Sequence, residues 1–252
     1  MIAAEVVADS IADGVRLSTL VVTMPRFILS EFNTHRALSR NSASSRAVPV
    51  MRAIKAVERA PFVPAAFGAA RAGMQAGEAL DADSQLAARH AWLDAAQWAT
   101  QEARRLERLG VHKQWANRLL EPFSWHTVVV SATYFDGFFA LRDHKDAQPE
   151  IRDVARAMRA ALEHSTPAPM HHGSYHLPWG LPLSSAVARC ARVSYLRQDV
   201  EPDIAADAAL CERLQNSGHW SPFEHIACVS SSPYKPTNFA RPWLQYRRVI
   251  GG

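Results

Sequence analysis

Val15, Leu17, Thr19, Val21 and Thr23 alternate with Arg16, Ser18, Leu20 and Val22. A period of two sends successive side chains to opposite faces, so this stretch predicts a strand and commits the chain to a sheet. Pro25 stops it, and Phe27 to Arg36 follows as a short helix with Phe27, Ile28 and Phe32 at helical spacing. Trp125 to Thr133, with Val128, Val129 and Val130, is a second strand-like stretch. Helices are expected between these. The clearest has a cap at Asp83 or Ser84, an apolar stripe of Leu86, Leu93, Ala96, Ala99, Ala103 and Leu106, and an end at Gly110. His112 to Leu120 predicts a shorter one stopped by Pro122. Another starts near Pro149 with Ile151, Val154, Met158 and Leu162 on one face, and Ile204 to Asn216 is amphipathic and closed by Gly218. Pro61 to Gly77 and His164 to Pro182 read as connecting segments.

With 252 residues the chain can form one large domain, and a single domain over 1–252 is the expectation. Hydrophobic residues make up 48% and charged residues 21%, ordinary for a globular protein. No apolar run approaches the ~20 residues of a membrane span, and the N-terminus lacks a signal-peptide layout. Cys190, Cys211 and Cys228 are widely spaced, without a C-x-x-C pair, which fits a reducing cytoplasm better than a disulfide framework or a cysteine zinc site. The formal charge of +4 suits anionic small molecules and is too mild to argue for nucleic acid.

Three segments could carry chemistry. In His35-Arg-Ala-Leu-Ser-Arg-Asn-Ser-Ala-Ser-Ser-Arg46, guanidinium forks at Arg36, Arg40 and Arg46 suit a phosphate or a pyrimidine carbonyl, and the small residues between them let backbone amides approach an anion. A solvated basic loop is the plainer reading. Arg142 precedes a helix N-terminus near Pro149, where anions are favoured; Asp146 as a cap and Glu150 on the helix dipole explain that segment without function. Ser221, Pro222 and Glu224 have the spacing of a capping box. His219 and His225 lack the helical spacing of a zinc pair, so no metal site is expected. No dinucleotide fingerprint, P-loop or nucleophile elbow is present.

Together the three segments are more specific than any one. Thr34-His35-Arg36 with Ser39-Arg-Asn41-Ser-Ala-Ser44-Ser-Arg46, then Leu141-Arg142 with Ala147-Gln148-Pro-Glu150-Ile151-Arg152, then Ala191-Arg-Val-Ser194-Tyr195 with Gly218-His219-Trp-Ser221-Pro-Phe-Glu224-His225, resemble the signature blocks of the flavin-dependent thymidylate synthases. The last block comes first in typical members, and a circular permutation accounts for the order. Thr19–Arg36 and Ala227–Arg248 then read as two versions of the strand-helix that joins the blocks, and the two should occupy related places around one sheet.

The resemblance implies an α+β fold, a central mixed or antiparallel sheet covered by helices, and C5 methylation of dUMP or UMP. FAD would be the cofactor, NADPH the reductant and methylenetetrahydrofolate the carbon donor; the protein orients and polarises. It implies nucleotide contacts from Ser44, Ser45, Arg46 and Arg118, the last with Asn117 as a competing alignment. Arg142 would act at the pyrimidine, where a cation stabilises charge developing on the ring carbonyls. Ser44 and Arg142 are thus the catalytic candidates, Ser44 not as a covalent nucleophile. His35, Arg36, Ser194, His219, Ser221 and Glu224 would line the flavin site. A homotetramer with shared active sites is also implied, with neither nucleic acid nor membrane as partner. Departures from the family pattern are Thr34 for the first arginine, Ser42 for an acidic residue, Ser131 and Thr133 for an asparagine and an arginine, and Asp146 for a histidine, with His144 nearby. They motivate the alternative of a non-catalytic relative kept for nucleotide binding or assembly.

Overall fold

The computed structural model describes residues 1–196, 200–231 and 237–251. Its main sheet has five strands in the order β3-β4-β2-β1-β5. These are β1 (Ala3–Ala12), β2 (Val15–Pro25), β3 (Ser39–Ser42), β4 (Trp125–Ala132) and β5 (Ala168–Pro169). All neighbours pair antiparallel except β5, which lies parallel to β1 at the edge. Strand β1 is absent from the sequence reading because its alanines and acidic residues are weak strand formers. What makes it a strand is the turn Asp13-Gly14, both at positive φ (49° and 76°), which closes a two-residue hairpin onto β2.

The sheet is covered on both faces. Leu20, Val22 and Met24 of β2 and Val128 and Val130 of β4 pack with Phe32 of α1 (Leu29–Asn33), and with Phe138 of a helix spanning Asp136–Arg142. Ile151, Val154 and Met158 of the Pro149–Glu163 helix complete that core. Against the other face, Val21 and Val129 meet Cys190 and Val193 at the end of a helix over Leu183–Arg192. A satellite core joins α2 (Val50–Arg59) to α3 (Ala82–Arg108), α4 (Lys113–Ala116) and the 3-10 turn Asn117–Phe123. In chain order the remaining helices are α5 (Asp136–Arg142), α6 (Pro149–Glu163), α7 (Leu183–Arg192), α8 (Ile204–Asn216) and α9 (Tyr246–Val249). A small antiparallel sheet, β6 (Tyr175–His176), β7 (Ala227–Val229) and β8 (Trp243–Gln245), stands beside the main one.

A buried polar seam fastens the two sheets. Ser10 Oγ and His176 Nδ1 are 2.8 Å apart, His176 Nε2 and Thr19 Oγ1 2.8 Å, Thr19 Oγ1 and Ser131 Oγ 2.6 Å, and Ser131 Oγ and His225 Nδ1 2.8 Å. Hydrogen bonding of every link is what makes so much buried polarity tolerable.

Several expectations are corrected. Helix α3 is capped by Asp81, whose carboxylate accepts from Ser84 N, not by Asp83 or Ser84. Helix α6 starts after Gln148 with no side-chain cap, so Asp146 does not serve as one. Ser221 and Glu224 form no capping box: Ser221–His225 is a 3-10 turn, Ser221 Oγ donates to Asn41, and Glu224 pairs with Arg247. The polar Ser39–Arg46 segment is a paired strand over its first four residues. The two strand-helix units do not occupy related places either. The first lies in the main sheet, whereas β7 of the second lies in the small sheet and returns through β8; residues 232–236 of the second unit fall outside the described residues. Among the described residues no helix is long and apolar enough to cross a membrane, and all three cysteines are free.

Candidate active site

A cleft of about 810 Å³ opens where β3 and its following turn meet α7 and the Ser221–His225 turn. Its walls include Ser44 and Arg46 from the first motif, and Ser194, His219 and Ser221 from the last. The loop geometry follows from local bonding. Ser44 N donates to Ser194 O at 3.0 Å, and Ala47 N donates back to Ser44 O at 3.0 Å, which tightens the turn. Asn41, almost buried on β3, donates to Cys190 O and accepts from Ser221 Oγ at 3.3 Å. One side chain thus ties both C-terminal motif segments to the strand that carries the first motif.

The cleft is basic. Arg46, Arg192 and Arg213 line it with His112 and His219, and among the described residues no aspartate or glutamate does. Arg192 is held by Asp207 of α8, a fully buried carboxylate. Such a wall concentrates anions, and its volume lies in the ~300–1,000 Å³ range of small-molecule sites. Asn41 stands in the first motif; His112, Gln114, Arg192, Arg213 and Ser217 were not singled out from sequence. Arg192 stands inside the Ala191–Tyr195 block and could have been; His112 and Arg213 carry no local signal.

The other candidates gather elsewhere on this chain. Arg142, at the last turn of α5, donates through Nε to His35 Nε2 at 2.8 Å and through Nη2 to Thr34 Oγ1 at 3.3 Å. The His35 ring meets Phe138 edge-on at 4.8 Å. Burial, then the charges of Arg142 and Arg40, hold the His35 pKa below its usual value. Arg36 beside it is exposed. Ser45 and Arg118 converge on Glu121, which also receives Arg26 at 3.2 Å. Glu224 does not line the cleft: its carboxylate is taken by Arg247 of α9, while Gln245 Nε2 donates to its carbonyl at 3.0 Å. The structure therefore brings five of the candidates to one cleft, and places His35, Arg36 and Arg142 together, Ser45 and Arg118 together, and Glu224 apart. Among the described residues no cluster could hold a metal ion.

Comparison with curated proteins finds no match. Solved structures do match. The UMP/dUMP methylase PolB from Streptomyces cacaoi bound with 5-Br UMP is 20% identical with a TM-score of 0.54, over 64% of this chain and 88% of that one. The same methylase bound with 5-Br dUMP is 21% identical with a TM-score of 0.47, over 58% of this chain and 65% of that one. Thymidylate synthase X from Helicobacter pylori with FAD and dUMP is 19% identical with a TM-score of 0.40, over 58% and 67%. At such identities the likeness speaks for the fold alone, and of these three only the 5-Br UMP complex overlaps closely enough to do so. The model of the family described as thymidylate synthase complementing protein matches residues 7–168, which take in the first and second motif blocks and leave the last outside. That match spans well over half of the sequence, and the chain belongs to the thymidylate synthase complementing protein family.

Proposed function

We propose that this chain methylates C5 of a uridylate, dUMP or UMP, with FAD as its cofactor, NADPH as reductant and methylenetetrahydrofolate as carbon donor. The observation that carries the reading is the basic cleft on which Ser44, Arg46, Ser194, His219 and Ser221 converge from motifs 150 residues apart in the chain, as in Ser44 and Ser194. The residues fit a phosphate-bearing cofactor: three arginines and two histidines face one cavity, with no competing carboxylate among the described residues. Ser194, His219 and Ser221 would hold FAD there, and the redox chemistry is what such a group supplies when bound. Ser44, Ser45, Arg46 and Arg118 would hold the nucleotide, and Arg142 would steady charge on the pyrimidine carbonyls.

His35, Arg36 and Arg142 sit outside the cleft of one chain. A homotetramer in which one copy supplies them to another copy's cleft would complete the site. The order of the motif blocks belongs to the same reading, as a circular permutation. The last block docks onto β3 and β4 through Asn41, Ser44 and Ser131, while the placement of the two strand-helix units in different sheets counts against a duplication as its origin. The reading also puts the enzyme in the cytoplasm, acting on free nucleotides.

The test is the visible spectrum of purified protein desalted after addition of FAD, followed by mass spectrometry of UMP and dUMP incubated with reductant and methylenetetrahydrofolate. Retained flavin and a nucleotide heavier by one methylene bear the proposal out. One observation favours the alternative of a non-catalytic relative: Glu224 is already engaged by Arg247. A protein that binds uridylate but neither retains flavin nor forms product would establish that alternative.

A further inference from the structure

Arg40 belongs to the first motif segment, where its fork would suit an anion, yet the structure turns it onto the protein itself. Its backbone is fixed: Arg40 is a residue of β3 and pairs with Val130 of β4 in the main sheet. Its half-buried side chain crosses to the end of α1. There Nη1 lies within donating distance of three carbonyl oxygens, those of Phe32 at 3.3 Å, Asn33 at 2.9 Å and His35 at 3.1 Å.

The last carbonyls of a helix have no partner within it, and a cation there also meets the negative end of the helix dipole. Helix α1 has five residues, too few to hold its shape unaided. The turn after it is otherwise tied by short-range bonds: Thr34 N and Oγ1 to Glu31 O, His35 N to Phe32 O, and Leu38 N to His35 O. Arg40 is what fastens this turn to the sheet. Burial opposes its charge and the Glu224 carboxylate supports it. Glu224 comes from the last motif block, so Arg40 stands between that block and the turn that carries His35.

The position of that turn has a consequence for Arg142. His35 Nε2 accepts from Arg142 Nε at 2.8 Å. The imidazole can hold the guanidinium there only while the backbone beneath it stays in place.

We propose that Arg40 is a positioning residue for Arg142: by drawing the carbonyls of Phe32, Asn33 and His35 onto a guanidinium rooted in β3, it aims the His35 ring and so sets where Arg142 is presented. This rests on the reading that Arg142 meets the pyrimidine.

The test follows the His35 imidazole of the full chain by proton–nitrogen NMR over a pH series, its signal assigned as the one that His35→Gln removes. Among the described residues the charges that bear on this ring are Arg142 from α5 and Arg40 from β3, and Phe138 beside it is apolar. Arg40→Met takes away the clamp and one of these cations. His35 should then titrate at a higher pH and lose its single Nδ1–H tautomer, and affinity for UMP or dUMP should fall at least about fivefold, the worth of one neutral hydrogen bond. Arg40→Lys returns a cationic donor to the same carbonyls and should restore the tautomer and most of the affinity. A residue that served only stability would lower the melting temperature and leave both as they were. An unchanged tautomer or an unchanged affinity in folded Arg40→Met, or a Lys variant no better than Met, would overturn the proposal. Should Arg40→Met fail to fold, Arg40→Gln, which keeps a neutral donor, is read in the same way. The NMR measurement needs no nucleotide. A wild-type chain that binds neither uridylate would therefore sink the proposed function, and the His35 tautomer would still decide the clamp.

Discussion

Arg142 Nε donates to His35 Nε2 across 2.8 Å, so the imidazole accepts and its proton sits on Nδ1. Two consequences follow. The pair exists only while His35 is neutral, and burial together with Arg142 and Arg40 favours that form. A histidine depressed in the folded state contributes stability that is present above its unfolded pKa of about 6.5 and is lost as pH falls toward the folded value. Uridylate binding that depends on Arg142 should therefore weaken only as pH falls through the lowered folded-state value of His35, below the usual histidine range, and His35→Gln, an acceptor that does not titrate, should flatten that dependence. A pH series of nucleotide affinity for the two proteins checks this; identical profiles would remove His35 from the control of Arg142.

The neighbour matters as well. Thr34 Oγ1 accepts from Arg142 Nη2 while donating to Glu31 O at 2.7 Å. Restoring the family's arginine here, Thr34→Arg, would put a second cation against Arg142 and displace it. Like charges at contact in a half-exposed setting cost on the order of 1 kcal/mol, so nucleotide affinity should fall about fivefold, with little change in melting temperature. Unchanged affinity would mean that Arg142 does not touch the nucleotide.

Three histidines are set to make the fold acid-sensitive. Burial pushes His126, His176 and His225 each down to about 3, with the charge of Arg26 adding to the effect at His126. Between about pH 3 and 6.5 the unfolded chain binds these protons and the folded chain does not, so stability rises with pH across that window. Urea unfolding at pH 7 and pH 4.5 should show a large loss at the lower pH. His126→Gln should reduce the loss, because among the described residues its ring is hydrogen-bonded only to Arg26, whose Nη1 donates to Nε2 at 3.0 Å, while the other two belong to the inter-sheet seam. A wild-type midpoint independent of pH would contradict the neutral assignment.

Much of this was legible beforehand. Strands β2 and β4, covered on both faces, and helices α3, α6 and α8 follow from apolar patterning and end signals. The misses have physical reasons. Strand β1 depends on the Asp13-Gly14 turn rather than on its own propensity. Ser221 and Glu224 fit a capping box locally, and tertiary partners, Asn41 and Arg247, outcompete that local pattern. In the site, the family resemblance pointed to Ser44, Arg46, Ser194, His219 and Ser221, and nothing local could show that Arg213 of α8 or His112 of the α4 cap would face them across the cleft.

Arg192 illustrates how one residue serves both stability and site. Its guanidinium lines the cleft and is the charge partner of Asp207, whose side chain is 1% exposed, whose Oδ1 accepts from Arg192 and whose Oδ2 has no hydrogen-bond partner among the described residues. Removing the arginine leaves a buried carboxylate unpaired, which typically costs about 3–5 kcal/mol, whereas replacing both charges with apolar groups is often neutral. Arg192→Met should accordingly lower the denaturation midpoint sharply, and Arg192→Met with Asp207→Leu should recover most of it. Ligand affinity should not recover, because the cleft has lost a cation in both. Recovery of anion binding in the double variant would show that Arg192 acts only as a fastener between α7 and α8.

Arg118 separates the two kinds of contribution in the opposite way. It lies half exposed, and its bond to Glu121 at 2.8 Å is an i,i+3 surface pair. Such pairs are worth about 0–1 kcal/mol, and Glu121 keeps Arg26 and Ser45 when Arg118 is gone. Arg118→Ala should therefore change the urea midpoint hardly at all. If the residue meets the nucleotide phosphate as proposed, the same variant forfeits a charge-assisted hydrogen bond of about 1.5–3 kcal/mol, a loss of roughly tenfold to a hundredfold in UMP or dUMP affinity. The uncharged nucleoside uridine supplies the control, since a phosphate contact leaves its weaker binding untouched. Equal losses for nucleoside and nucleotide would move Arg118 away from the phosphate, and no loss for either would leave the phosphate to Arg46 and the serine turn.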